Sequence, residues 1–229
     1  MKIFYEDDLL KISYVDDFIT NRCLIVFTGI GHKLGGIDVQ KEEFYSQHKF
    51  GMIVWITDKK RSWGNNLNVK KISEKLIKLS KNKNIFIIGN SMGGFLSILF
   101  STFLNAKKVI VFNPQFSVCP EIVPTEKRWM HYRKFITKYR FKDLSNKFSK
   151  NINYSLFFGD NSEDDIHFNK FLQFTSKSNV ELIRLKNINH NVASYLKECK
   201  LLNNVIIDFF NNRSLKDFFL KNDIDILEK

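Results

Sequence analysis

The chain has 229 residues and 44% hydrophobic content, which suits one folded domain with a sizeable core and excludes a mainly disordered chain. Its longest apolar run, at 95–104, is about half the length that a bilayer requires and contains three hydroxyl residues, so no transmembrane helix is predicted. The net charge of +12 favours polyanionic partners, but the lysines and arginines are scattered through turns and helix faces, which disfavours a nucleic-acid surface.

The N-terminal segment and the cysteines indicate a compartment. Residues 1–5 are followed at once by the acidic residues 6–8, an order that does not form a secretory signal. The three cysteines, Cys23, Cys119 and Cys199, are widely spaced and form no CxxC pair, which fits neither a disulfide framework nor a thiolate metal site. We therefore expect a cytoplasmic protein with reduced thiols and no bound metal.

The order of apolar segments along the chain predicts an α/β fold. Two runs at 2–5 and 11–14 predict an antiparallel pair of strands at one edge of a sheet. From residue 23 onward, short buried-type strands alternate with amphipathic helices, as in βα units around a parallel sheet. The predicted strands lie at 24–28, 52–57, 84–88, 108–112, 154–158 and 180–185, and the predicted helices at 39–48, 69–80, 92–104, 166–176 and 192–210.

One segment interrupts this alternation. Residues 119–150 are long, rich in lysine, arginine, tyrosine and phenylalanine, and opened by Pro120 and Pro124. We expect an inserted cap over the functional site within a single domain that spans residues 1–229. The tail after Asn212 predicts one short helix and a frayed end.

The central chemical signal is a GxSxG motif. Gly89, Ser91 and Gly93 lie between a predicted buried strand and an apolar helix, which is the setting of a nucleophile elbow. Small residues two positions before and after the serine let the backbone pass closely through this strained turn. A dinucleotide-binding turn is disfavoured because the chain has no GxGxxG motif. The motif predicts Ser91 as a nucleophile.

A serine nucleophile needs a base, which a carboxylate must orient. His190 follows the last predicted strand and precedes the last long helix, where such a base is expected. The loop after strand 154–158 offers Asp160, Glu163, Asp164 and Asp165. The usual spacing leaves Asp164 or Asp165 as the acid, and we favour Asp164.

Backbone amides and loop side chains complete the predicted site. The amide of Met92, just after the serine, and that of Gly29 or Ile30, in the loop after strand 24–28, are expected to stabilise an oxyanion. Trp63 and Gln115 follow the carboxyl ends of other predicted strands, the edge at which ligands bind in such sheets. Both are candidate substrate contacts, although structural roles are also compatible with these positions.

Six short segments occur in a recognisable order: 27–29, 62–63, 89–94, 113–115, 164–167 and 189–191. Together they resemble α/β-hydrolase-fold enzymes of bacterial polysaccharide loci, in particular capsular polysaccharide O-acetyltransferases. This resemblance implies that Ser91 accepts acetyl from acetyl-CoA, with no permanently bound cofactor, and passes it to a sugar hydroxyl. It also implies that His190 activates both hydroxyls and that Asp164 holds the imidazole.

Two other functions remain open at this stage. The same residues suit a carboxylesterase, deacetylase or thioesterase that hydrolyses a small acyl ester, because the choice between water and sugar as acceptor does not depend on the triad. A non-enzymatic basic binding protein on the same fold is the alternative from another class. The sequence does not identify the acceptor sugar, the acyl group or the oligomeric state.

Overall fold

The computed structural model describes residues 1–16, 20–34, 37–160 and 162–227. Its strands are β1 (Lys2–Glu6), β2 (Leu10–Val15), β3 (Arg22–Phe27), β4 (His32–Leu34), β5 (Ile37–Val39), β6 (Met52–Asp58), β7 (Asn84–Asn90), β8 (Lys108–Phe112), β9 (Asn153–Gly159) and β10 (Val180–Leu185). Its α-helices are α1 (Val69–Ser80), α2 (Met92–Ser101), α3 (Met130–Arg133), α4 (Ser162–Phe171), α5 (Val192–Glu198), α6 (Leu202–Phe210) and α7 (Leu215–Lys221).

Eight of these strands form one sheet in the order β1-β2-β6-β3-β7-β8-β9-β10. The six strands from β6 to β10 in this order are parallel to one another, while β1 and β2 join antiparallel at one edge. The mostly parallel sheet, its six core strands and the leading antiparallel pair are thus confirmed. Strands β4 and β5 form a separate hairpin that the sequence pattern did not predict.

Each central strand supplies side chains to two cores, one on either face of the sheet. In β3, Ile25 and Phe27 enter one core and Leu24 and Val26 enter the other, because successive side chains in a strand point to opposite faces. Helices α1 and α2 cover the first face, and α5, α6 and α7 cover the second. Strands buried on both faces are apolar throughout, which is why the sequence shows them as continuous runs.

The predicted helix at 39–48 is wrong. Strand β5 ends at Val39, and the only helical turn nearby is a 3₁₀ turn at Tyr45–Phe50. The intervening backbone is held by tertiary contacts instead, since the Glu43 carbonyl accepts a hydrogen bond of 2.7 Å from the buried indole of Trp55. Long-range hydrogen bonds override the local helical pattern here.

The predicted helix at 192–210 is two helices, α5 and α6. Lys200 has a left-handed φ of 61°, and the Leu201 amide donates to the Leu196 carbonyl at 2.8 Å. This closing bond is typical of a helix C-terminus. The chain then turns and continues as α6, so that both helices pack on the same face of the sheet.

Smaller differences occur at other boundaries. Helix α2 ends at Ser101 rather than at residue 104, and α4 begins at Ser162, four positions before the expected start at 166. The short helix in the tail is confirmed as α7. The end that follows it is not frayed over its described length, because the Leu227 amide donates to the Arg184 carbonyl at 2.9 Å beside β10.

Residues 119–150, named the insertion below, consist mainly of turns with the one-turn helix α3. Arg140 Nε donates to the Asn65 carbonyl at 2.7 Å, and the Phe141 amide donates to Asn65 Oδ1 at 2.9 Å. These bonds fasten the insertion to the loop after β6. No helix within the described ranges has the length and apolar character that crossing a membrane requires.

Candidate active site

Ser91 lies in the turn between β7 and α2, at the carboxyl edge of the sheet. Its φ of 55° and ψ of −117° are a strained backbone conformation for a residue other than glycine. The Ser91 amide donates to the Phe112 carbonyl at 2.8 Å, which anchors the turn to the neighbouring strand β8. A Cβ atom at Gly89 would overlap the Gly93 carbonyl, so the close backbone passage requires glycine.

His190 and Asp164 meet next to this turn. The imidazole Nδ1 of His190 lies 2.8 Å from Asp164 Oδ1 and 2.9 Å from Oδ2. Asp165, the alternative left open by the sequence, instead pairs with Arg184 at 2.6 Å. Neighbouring residues of a helix point in different directions, and α4 directs only the first of the two aspartates toward the imidazole.

Asp164 is buried and held from several sides. Asn113 Nδ2 donates to Oδ2 at 3.0 Å, and Arg128 donates to Oδ1 at 2.9 Å. Burial alone would raise the pKa of Asp164, but the hydrogen bond with His190 and the charge of Arg128 outweigh it, so that this pKa is below its ordinary value. The carboxylate is therefore ionised at neutral pH and suited to orient an imidazole.

The hydroxyl of Ser91 is positioned by Gln115. Gln115 Nε2 donates to Ser91 Oγ at 2.8 Å, while Gln115 Oε1 accepts from Trp63 Nε1 at 3.0 Å. Because Oγ accepts this bond, its own proton is free to point toward a base. Within the described part of the chain no hydrogen bond joins Ser91 to His190. Such bonds are often long in an unliganded site and shorten on substrate binding.

Trp63, predicted as a candidate substrate contact, lies in the core of this structure. Its side chain is 0% exposed and therefore offers no face on which a substrate could stack. Gln115 is equally buried, and the indole fixes the orientation of its amide. Trp63 thus supports the serine through Gln115.

The loop after β3 is oriented by three side chains. The Gly29 amide donates to Glu43 Oε1 at 3.0 Å, and the Gly29 carbonyl accepts from Gln40 Nε2 at the same distance. Arg61 Nε donates to the Ile30 carbonyl at 2.9 Å. The Ile30 amide is left without a partner among the described residues, so Ile30 fits an oxyanion donor better than Gly29.

Met92 is the second expected donor. It is the first residue of α2, so its amide belongs to the N-terminal turn, whose N–H groups have no partner inside the helix. The helix dipole adds positive potential at this end. Together with Ile30, it provides amides on either side of the serine turn.

Glu43 is not marked by any sequence motif, and a helix was predicted across its position. Burial raises the pKa of Glu43 from its ordinary 4.5 to about 7. The hydrogen bond from Gly29 lowers this pKa but does not offset the effect of burial. Between these two pH values the folded protein retains a proton that the unfolded chain releases. The free energy of unfolding therefore falls as the pH rises from about 4.5 to 7 and is level above that range.

The variant Glu43→Gln should be more stable than the wild type at pH 8, by about 1–3 kcal/mol, and no more stable at pH 4.5. The amide keeps an acceptor for Gly29 but has no charge to bury. Urea unfolding at both pH values measures the difference. Glu42→Gln is the matched control, since Glu42 pairs with Lys11 at 2.9 Å and has a lowered pKa, so its loss should not stabilise at pH 8. If Glu43→Gln and Glu42→Gln changed the free energy of unfolding equally at pH 8, burial of the Glu43 charge would not be the cause.

A buried charged cluster behind Asp164 was also missed. His167 Nε2 lies 3.0 Å from Glu126 Oε2, and the Phe116 amide donates to His167 Nδ1 at 3.3 Å. The second bond assigns the proton to Nε2, so the ring is neutral, in agreement with its pKa, which burial lowers. Glu126 and Arg128 lie in the insertion, where no motif marks them.

Comparison with known proteins decides the fold. No protein-family model and no curated protein sequence matches the chain. The capsule O-acetyltransferase of Neisseria meningitidis serogroup A, in complex with caged gadolinium, superposes with a TM-score of 0.61 and 18% identity, over 86% of this chain and 91% of that chain. A mutant of that enzyme in complex with CoA gives the same score and identity, over 86% and 92%.

Hydrolases superpose as well. A carboxylesterase structure from the Thaumarchaeon Nitrososphaera gargenis has a TM-score of 0.55 and 12% identity, over 91% of this chain and 97% of that chain. An α/β serine hydrolase without lid from Xanthomonas campestris has a TM-score of 0.52 and 12% identity, over 83% and 84%. The chain has the α/β-hydrolase fold. In α/β-hydrolases the nucleophile, acid and base follow one another in this order along the chain. Ser91, Asp164 and His190, which the sequence predicts for these roles, occur in the same order.

Proposed function

We propose that the protein is a serine O-acetyltransferase, which moves acetyl from acetyl-CoA to a hydroxyl of a bacterial surface polysaccharide. The observation that carries this proposal is the pairing of His190 with buried Asp164 at 2.8 Å. Asn113, which donates to Asp164, directly follows Phe112, whose carbonyl anchors the strained turn of Ser91. The similarity to a capsule O-acetyltransferase and to its CoA complex supports acetyl-CoA as donor and a glycan as acceptor.

In the first half-reaction, Ser91 Oγ attacks the thioester carbonyl carbon while His190 Nε2 takes the hydroxyl proton. Asp164 accepts the Nδ1–H bond, so that the lone pair lies on Nε2. The carbon–sulfur bond breaks, and the departing sulfur takes the proton from the imidazolium. The amides of Met92 and Ile30 stabilise the oxyanion that forms between these steps.

In the second half-reaction, His190 Nε2 takes a proton from the acceptor hydroxyl, and the acceptor oxygen attacks the acetyl carbon. The bond to Ser91 Oγ breaks, and the serine recovers its proton from the imidazolium. The net charge of +12 favours association with the phosphates of CoA and with an anionic glycan. The unpaired thiols of Cys23, Cys119 and Cys199 fit the reducing cytoplasm, where we place this reaction.

Intact-protein mass spectrometry after brief exposure to acetyl-CoA tests the proposal. We expect a gain of about 42 Da, one acetyl group, that is absent in Ser91→Ala. In His190→Ala a slowly formed acetyl-enzyme should persist longer, because the base that activates the acceptor is missing. Acetyl-enzyme that forms equally in Ser91→Ala would contradict the assignment of the nucleophile.

A carboxylesterase, deacetylase or thioesterase is the second candidate, which the similarity to the archaeal carboxylesterase favours. This reading predicts no acetyl-enzyme from acetyl-CoA and a turnover of 4-nitrophenyl acetate that no glycan accelerates, whereas the transferase forms the acetyl-enzyme and turns this ester over faster when a glycan acceptor is present. A non-enzymatic binding protein predicts neither acetyl-enzyme nor turnover, and labelling of Ser91 by a fluorophosphonate would exclude it. The three outcomes are distinct.

A further inference from the structure

Arg128 of the insertion lies between two buried carboxylates. One guanidinium nitrogen donates to Asp164 Oδ1 at 2.9 Å. The Nε donates to Glu126 Oε1 at 3.0 Å and the second terminal nitrogen to Oε2 at 2.6 Å, while the latter also donates to the Glu163 carbonyl at 3.1 Å. The planar fork of arginine satisfies these acceptors together, which the single ammonium of lysine does not.

Arg128 partly neutralises the two carboxylates of this cluster. The side chains of Glu126 and Asp164 are 2% and 3% exposed, and that of Arg128 is 18% exposed. Burial would raise the pKa of Glu126, but the bonds from His167 and Arg128 hold that pKa below its ordinary value. Since His167 is neutral, Arg128 is the permanent cation of the cluster, and two ionised carboxylates share it.

Asp164 Oδ1 accepts from both Arg128 and His190, at 2.9 and 2.8 Å. The arginine therefore restricts rotation of the carboxylate and reduces the negative potential that acts on the imidazole. Both effects reach the serine only through the acid and the base.

We propose that Arg128 is a positioning residue for acyl transfer, which holds the Asp164 carboxylate in the orientation that pairs with His190 and offsets part of its charge. This inference rests on the proposed catalytic role of Ser91, Asp164 and His190. It also assigns a role to the insertion, which supplies Arg128 and Glu126 to the surroundings of that acid.

Other charged groups surround this cluster. Glu163 Oε2 lies 3.8 Å from the guanidinium of Arg128 on the exposed side, and Arg133 donates to the Glu126 carbonyl. Arg184 of β10 pairs with Asp165 at 2.6 Å and with Asp160 at 3.1 Å. No ion pair joins Arg184 to Asp164 among the described residues, which makes Arg184 a suitable control.

The test is an NMR titration of the His190 ring, compared between the wild type and Arg128→Gln. We expect the midpoint to move to higher pH by about 0.5–1 unit, because the imidazolium then faces an uncompensated carboxylate. The acidic limb of kcat/KM for 4-nitrophenyl acetate should move by the same amount, with a loss of up to about tenfold on its acidic side. Arg128→Lys should keep the midpoint near that of the wild type.

Two further variants keep the proposal falsifiable. Arg184→Gln removes an arginine of matched burial, 17% exposed, and should move neither the midpoint nor the limb. If Arg128→Gln does not fold, Arg128→Gln combined with Glu126→Gln removes a charge of each sign and should give an intermediate midpoint. An unmoved midpoint in a folded Arg128 variant would overturn the proposal. A moved midpoint in a protein that forms no acetyl-enzyme and turns over no ester would overturn the proposed function and the role of Arg128 in acyl transfer, and would leave only its electrostatic coupling to the His190–Asp164 pair.

Discussion

Replacing Ser91 by alanine should lower the turnover of 4-nitrophenyl acetate by a factor on the order of 10⁴ or more. The variant lacks the hydroxyl oxygen that we propose as the carrier of the acyl group, while the pair of His190 and Asp164 and the amides of Met92 and Ile30 are unchanged in sequence. What remains is oxyanion stabilisation and substrate binding, which give only a small residual rate. Initial rates at neutral pH, with active-site titration of the wild type, measure the loss.

Ser176→Ala is the matched control, because Ser176 is an exposed serine far along the chain from the turn. It should retain full activity. The double variant of Ser91→Ala and His190→Ala should lose no more activity than Ser91→Ala alone, since residues that act as one unit are not additive. Additive losses would show that the histidine acts independently of the serine, and a Ser91→Ala variant with near-normal turnover would place the chemistry elsewhere.

Replacing Gly93 by alanine should lower the free energy of unfolding by about 3 kcal/mol or more. The added Cβ would overlap the Phe27 carbonyl oxygen. Phe27 cannot move aside cheaply, because it lies within the ladders that join β3 to β6 and β7. The first turn of α2 must shift instead, which disturbs a helix that is buried along its whole length. Urea unfolding followed by circular dichroism measures the loss.

Gly29→Ala is a comparison variant in which an added Cβ meets less severe contacts, so that a smaller loss of stability is expected. An added Cβ there would lie 3.1 Å from Glu43 Oε1 and 3.2 Å from the Asn90 carbonyl, which requires only small displacements. We expect a loss of about 1 kcal/mol in this variant. A Gly93→Ala protein as stable as the wild type would mean that α2 and β3 do not approach each other as closely as this structure has them.

Local sequence determined most of the fold. Helix α1 and strands β8 and β10 lie at the predicted boundaries, because apolar periodicity directly reflects which faces are buried. The serine turn could be predicted equally well. A turn this sharp tolerates only glycine at positions 89 and 93, and both glycines lie within one five-residue motif. Such features depend on neighbours in the chain.

The predictions from local sequence were wrong where residues far away in the chain determine the structure. The segment at 39–48 has helical spacing of its apolar residues, but Glu43 accepts hydrogen bonds from the Gly29 amide and from the indole of Trp55. These hydrogen bonds pair the carboxylate of Glu43 with the loop after β3 and its backbone carbonyl with a side chain of β6. The burial of Trp63 was not predicted either, because its position after a strand does not show that its indole N–H donates to Gln115.

The sequence by itself therefore determined the sheet, the nucleophile turn, and the set of acids and bases from which a site could be built. Only the tertiary structure decided that Asp164, rather than Asp165, meets His190, and that Arg128 of the insertion shares that carboxylate. The reason is physical: the start of α4 sets the direction of each aspartate, and a buried charge is stabilised by partners that are far away in the chain.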